Sequence, residues 1–295
     1  MVDKSRGPTS HDVVMVVRRT LKIKKVGHCG TLDPSATGVL VLCLGRATRI
    51  VELLIDADKE YLVEACLGVS TDTFDADGQV TGQADISGVT KSQIESVCVA
   101  FQGEILQEPP MFSAVKVGGR RLYKLARAGK TVQRSRRRVT ISEITVVAYE
   151  PPALTLRVVC SKGTYVRALV EDLGGHLGCG AHVRALRRLR SGVFTVDQAV
   201  SFDQIEALHG EGNLVRRVCS LDEALSDLLC VVLSAYEARL FSHGTSVRMD
   251  SSAFEEKSKS GPPLRVKVKD PGGRLRGVGV LDVSENLLKP WRVFE

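Results

Sequence analysis

GHCGTLDPSATGVLVLCLGRATR, residues Gly27 to Arg49, is the stretch from which the rest of the chain can be read. It begins as a loop punctuated by Gly and Pro and ends in the apolar run Val39 to Leu44, bounded by Gly38 and Gly45. A short apolar run between such breakers predicts a buried strand. Asp33 stands at the turn of the loop, between Leu32 and Pro34. An Asp before Pro commonly does no more than start a turn. A lone carboxylate held beside a buried strand can also serve chemistry, and local sequence does not choose between the two.

On the N-terminal side, the Thr-x-x-Asp spacing of Thr9-Ser10-His11-Asp12 predicts a helix start. Val13, Val16, Val17 and Leu21 give that helix one apolar stripe. Arg18, Arg19, Lys22, Lys24 and Lys25 form either a solvated face or a phosphate-contacting one. On the other side, Ala47 to Ala57 is predicted as a helix with Ile50, Val51, Leu53 and Leu54 inward. Tyr61, Val63, Ala65 and Leu67 then alternate with Leu62, Glu64 and Cys66, the period of a strand. Thr71 to Gly78 reads as an acidic turn, since the calcium-loop pattern it evokes has Ala84 where the bidentate Glu belongs.

Further along, Ser92 to Phe101 is predicted helical, and Pro109 to Lys116 is an extended loop leading to a helix over Arg120 to Ala128. Arg120, Arg121, Lys124, Arg127, Lys130, Arg134, Arg136, Arg137 and Arg138 concentrate positive charge on this arm beyond what solubility asks for, which points to a nucleic-acid face over a merely solvated surface. Strands are predicted over Val139 to Val147 and Leu154 to Ser161. CSKGTYVR follows, a strand end feeding a helix that Gly174-Gly175 should stop, and it puts Tyr165 and Arg167 where site residues often lie. His182, in the basic apolar segment Cys179 to Arg190, reads as a packing or turn-capping residue. Ser-x-x-Gln at Ser201 and Ser-x-x-Glu at Ser220 predict two closing helices. Past Cys230 the chain becomes a small β-rich module, with strands at Val231 to Leu233, Leu264 to Lys269 and Val278 to Val283 and a flexible polar loop near Lys257 to Ser260.

The length of 295 residues suits about two domains, 1–229 and 230–295, with a basic insertion near 104–150 in the first. A net charge of +7 favours a polyanionic partner. The eight Cys are scattered without a C-x-x-C pair, so they read as reduced core thiols and not as a disulfide frame or a zinc site. No apolar run approaches the roughly 18 residues of a membrane span, and no signal-peptide pattern opens the chain. A cytoplasmic location is expected.

His28, Gly30, Thr31, Leu32, Asp33, Pro34, Ala36, Thr37, Gly38 and Leu40 together resemble the catalytic-aspartate motif of the TruB, or tRNA pseudouridine(55) synthase, family. The opening from Asp3 to Asp12, with Ser5 in place of the usual Pro, resembles the family's first motif. The segments Pro109 to Lys116 and Cys179 to Arg190 resemble later ones, so the likeness runs along nearly the whole chain. It implies a mixed α/β (α+β) catalytic fold around an extended, mostly antiparallel sheet, with a PUA-like C-terminal module. It implies isomerisation of uridine 55 in the T-loop of tRNA, with no cofactor and no metal. Asp33 would be the nucleophile, Arg167 its ion-pair partner and Tyr61 the ring that stacks on the flipped base. His28, Tyr165, Leu186, Lys4 and Arg49 would bind or frame the substrate. A bidentate Arg167 would keep Asp33 ionised and fix its direction.

Three rivals remain at the level of sequence. One is the same chemistry on other RNA, including guide-RNA-dependent relatives, against which the position of the first motif near residue 1 argues. A second is a tRNA-folding chaperone acting by binding alone, and a third is a nucleoside hydrolase. The partner expected is the T-arm of tRNA, with no membrane, no protein partner and a monomeric chain.

Overall fold

A computed structural model describes residues 1–254, 256 and 263–294. The chain forms two compact units: Met1–Lys22, His28–Leu42 and Glu52–Leu208 make the first, and Ile23–Gly27, Cys43–Val51 and His209–Glu295 the second. The loop near Lys257 to Ser260 lies outside the described residues.

Among the described residues the first unit is built on a nine-stranded mixed sheet. Strand Lys59–Leu67 lies near its middle, with Tyr61, Val63, Ala65 and Leu67 buried on one face as the period of two predicts. It pairs antiparallel with Ala153–Cys160 on one side and Ala181–Ser191 on the other. Ala181–Ser191 runs parallel to Thr37–Leu40, which pairs antiparallel with Val2–Lys4. The N-terminus and the Asp33 loop are thereby stitched to the centre of the sheet.

Helix Ser10–Thr20 starts with both bonds of a capping box between Thr9 and Asp12, and buries Val13, Val14 and Val17. Helix Val166–His176 packs on the sheet. Gly174 does not stop it, because the helix runs on to His176 and the glycine instead lets the backbone of Ala181 approach, where a Cβ would come within 2.3 Å of its nitrogen.

Several predicted elements differ in detail. The run Val39 to Leu44 is two strands, Thr37–Leu40 and Leu42–Leu44, separated at Val41. Ala47 to Ala57 is a 3-10 turn, Gly45–Ile50, followed by the short helix Val51–Asp56, and only Ile50 is fully buried. Arg120 and Arg121 belong to a small hairpin with Lys116–Val117, and the helix behind them is Leu122–Arg127. Ser201 makes no side-chain cap, whereas Ser220 does, over a helix of only Leu221–Ala224. None of the eight cysteines is in a disulfide, but Cys230 is exposed and is no core thiol.

The second unit is the β-rich module. Its five-stranded sheet orders Leu229–Val232, Leu264–Lys269, Leu275–Asp282, Leu287–Val293 and Val247–Arg248, and Phe241 from helix Ala235–Ser242 fills its core with Val266, Val268, Leu281 and Leu288. No helix among the described residues is long and apolar enough to cross a membrane.

Gly38 fixes how the Asp33 loop joins the sheet. Its φ is +102°, and a Cβ there would stand 2.2 Å from the carbonyl oxygen of Arg188 on the neighbouring strand. Gly38→Ala should therefore lower stability by more than about 2 kcal/mol, since neither the backbone angle nor the neighbouring backbone can yield cheaply. A thermal melt within a degree of the wild type would contradict this.

Candidate active site

The Asp33 loop is held by its neighbours before its carboxylate meets anything. Ser10, buried at the start of its helix, accepts from the Leu32 amide at 2.8 Å and donates to the Leu32 carbonyl at 2.9 Å. Lys4 Nζ, wholly buried, donates to the carbonyls of Ser5, Pro34 and Ala36 at 2.9, 3.1 and 2.7 Å. The Gly7 amide donates to the Pro34 carbonyl at 2.8 Å. Both sides of Asp33 are thus pinned through backbone, which leaves its side chain 38% exposed.

Arg167 lies in the first turn of helix Val166–His176, with its side chain only 6% exposed. Its Nη2 is 2.9 Å from Asp33 Oδ2 and its Nη1 is 3.2 Å from Asp75 Oδ2. The same two nitrogens donate to the carbonyls of Phe112 and Thr73, at 2.9 and 2.8 Å. The bidentate clasp expected from sequence is therefore replaced by a shared one. Each carboxylate receives one nitrogen, because four acceptors crowd around the guanidinium.

Asp75 was read in the sequence only as part of an acidic turn. It sits beside Phe74, whose φ is +62°, and its segment is tied to strand Ala181–Ser191 by Ala76 donating to the Val183 carbonyl and Val183 donating to that of Phe74, each at 3.0 Å. Gln107 was missed as well. Its buried amide accepts from the Tyr165 N–H at 2.7 Å and donates to the Tyr165 carbonyl at 3.1 Å, which fixes the entry to the Arg167 helix. Aspartates spaced along a turn carry no mark of a distant cation, and a Gln at a strand end carries none of a backbone clamp.

Asp33, Arg167, Asp75 and Leu186 line one groove of the first unit. Leu186 stands just past a bulge between Val183 and Ala185, opposite Val63. Tyr61, opposite Arg188 on the same strand pair, is 8% exposed, and burial raises the pKa of its phenol. Burial likewise raises that of Tyr165. His28 is half-buried, its Nδ1 has no hydrogen-bond partner, and burial, with Arg188 adding to it, lowers its pKa, so the ring is neutral at pH 7. Arg49 stands in the second unit, where it donates to the Val293 carbonyl at 3.0 Å. On the basic arm, Arg134 and Arg138 are tied to Glu108 and Glu104, whereas Lys116, Arg120, Arg121 and Lys124 are exposed.

This arrangement can present one accessible carboxylate, oriented from behind by a buried cation, to a substrate in the groove. A model of the TruB family pseudouridylate synthase N-terminal domain matches residues 18–166, and one of the tRNA pseudouridylate synthase B C-terminal domain matches 167–226. The protein is similar to the tRNA pseudouridine synthase B of Stutzerimonas stutzeri (strain A1501), 45% identical over 97% of this chain and 91% of the relative. It is similar to that of Burkholderia pseudomallei (strain 668), 42% identical over 99% and 95%. Among solved structures, the matching chain of a Cbf5-Nop10-Gar1 complex is 27% identical with a TM-score of 0.76, covering all of this chain and 84% of that one. Fold and relatives thus define a pseudouridine synthase, an isomerase of the mixed α and β class. The chain belongs to the TruB family.

Lys4 gives the loop a dependence on pH. Burial lowers its pKa from 10.5 to about 8, with Asp33 opposing and Arg188 adding to the shift. The folded chain therefore gives up this proton before the unfolded chain does. Between pH 8 and 10.5 the unfolded state binds more protons, so the cost of burying the ammonium is relieved as pH rises. The neutral amine keeps two N–H groups for three carbonyls, however, and the loop loses a tie. Catalytic rate should fall on the alkaline side near pH 8, and that limb should vanish in Lys4→Gln. A limb of unchanged position in the variant would assign it elsewhere.

Proposed function

We propose that this chain isomerises uridine 55 in the T-loop of tRNA to pseudouridine. The observation that carries the proposal is the exposed Asp33 carboxylate held at 2.9 Å by the buried Arg167 in a groove. The relatives' name, tRNA pseudouridine synthase B, supports the substrate. The reaction breaks N1–C1′, turns the uracil and forms C5–C1′; C5 gives up a proton and N1 gains one. Atoms and electrons balance within the substrate, so the proposal invokes no cofactor.

Asp33 acts as the nucleophile, and Arg167, 2.9 Å away, keeps it aimed. The target uridine leaves the RNA stack at a cost of a few kcal/mol. Tyr61 offsets part of this by stacking on the base, a contact worth roughly 1–3 kcal/mol. The backbone of Leu186 meets the uracil edge, Tyr165 closes the pocket and His28 fills the space that the base vacates. Lys4 orders the Asp33 loop from behind, and Arg49, in the second unit, offers its charge to RNA phosphate. The exposed cations of the basic arm hold the T-arm by its phosphates and shape. We assign 1–229 to catalysis and 230–295 to a PUA-like RNA-binding module, in a monomeric, cytoplasmic protein.

Tritium release from tRNA labelled at uridine C5 tests the reading, because that hydrogen must leave when C5 becomes the glycosidic carbon. Wild type should release it, and Asp33→Asn should release none while binding tRNA nearly as well. Binding without release by the wild type would leave the chaperone reading in its place, and free uracil would mean a hydrolase.

A further inference from the structure

Arg188 is the largest wholly buried side chain among the described residues, 1% exposed, and it stands next to the site without lining the groove. Its Nε donates to the Val39 carbonyl at 2.8 Å and its Nη2 to the Gly30 carbonyl at 3.2 Å. Those two carbonyls bracket the Asp33 loop. Its backbone lies between Gly38 on one neighbouring strand and Tyr61 on the other, and its guanidinium draws the Tyr61 phenol's pKa down against the larger rise that burial causes.

Among the described residues no carboxylate pairs with this cation. Lys4 and Lys59 feel it as a like charge, and both have pKa values lowered to about 8, burial being the larger cause in each. An uncompensated buried cation costs several kcal/mol, and an apolar side chain of similar length would commonly serve stability as well or better. Stability therefore gives no reason for an arginine here. Its geometry does: the planar fork reaches the carbonyls at both ends of the loop at once, from a position paired across the sheet with Tyr61.

We infer that Arg188 is a positioning residue for the isomerisation, holding the two ends of the Asp33 loop and the Tyr61 hydroxyl in one fixed arrangement. The inference rests on the pseudouridine synthase reading above. Arg188 acts through Asp33 and Tyr61 and does not touch the RNA.

The test is a double-mutant cycle of Arg188→Lys and Tyr61→Phe, reading the single-turnover tritium-release rate and, separately, the tRNA dissociation constant. Lysine keeps the charge but has one nitrogen, so R188K should lower the rate about 100-fold, as small misplacements of a reacting group do. The dissociation constant should stay within about threefold of wild type, since nothing that touches RNA is lost. Phenylalanine keeps the ring and removes the acceptor, and should cost ~10-fold in rate. The double variant should lose clearly less than the product of the two, because both disturb one linkage.

Independent, multiplicative losses, or an R188K rate within threefold of wild type, overturn the inference. Should R188K lose its cooperative melt, Y61F decides alone: a full wild-type rate refutes the linkage, and a slower rate at unchanged affinity supports it. A wild-type chain that binds tRNA and releases nothing overturns the tRNA reading and this inference with it, whereas an active wild type with multiplicative losses overturns the inference only.

Discussion

The site depends on one guanidinium divided between two carboxylates. Arg167 is buried and faces Asp33 and Asp75 at once, with the carbonyls of Thr73 and Phe112 taking its remaining reach. A desolvated cation with two anionic partners is hard to move, because losing either one leaves a buried charge unsatisfied. Three chain segments far apart in sequence, around Asp33, Asp75 and Phe112, are fastened to the start of one helix in this way. The accessible member of the group, Asp33, is left free on the side that faces the groove.

The rest of the unit supplies stiffness to that arrangement. Ser10 and Lys4 hold the Asp33 backbone, Gln107 holds the backbone of Tyr165, and Gly38 lets the loop enter the sheet against Arg188. The hydrogen bonds among these are buried or part-buried, so each costs more to break than it contributes when made. Catalytic geometry held within a fraction of an ångström needs such support around it.

Much of this could be read in the sequence, for identifiable reasons. Asp33 and Arg167 stand in dense motifs at a turn and at a strand-to-helix junction, and the central strand betrays itself by the alternation of Tyr61, Val63, Ala65 and Leu67. Asp75 was hidden because its partner lies 92 residues away along the chain, and nothing local distinguishes it from Asp72 or Asp77. The fourth long strand of the second unit, Leu287–Val293, was hidden by Pro290, which breaks strand patterns but is accommodated here next to a register shift in its partner. Gly174 and Gly175 looked like a helix stop because the sequence does not reveal the strand that needs the close approach.

The most direct measurement is the single-turnover rate of Arg167→Lys, taken together with its affinity for tRNA. A lysine keeps the positive charge but cannot serve two carboxylates and two carbonyls with one nitrogen. The expected result is a rate lowered by about 100-fold or more with affinity within about threefold of wild type, because the loss falls on the orientation of Asp33 and not on RNA binding. A variant that turns over at the wild-type rate, or one whose whole defect lies in binding, would contradict the central role given to the shared guanidinium.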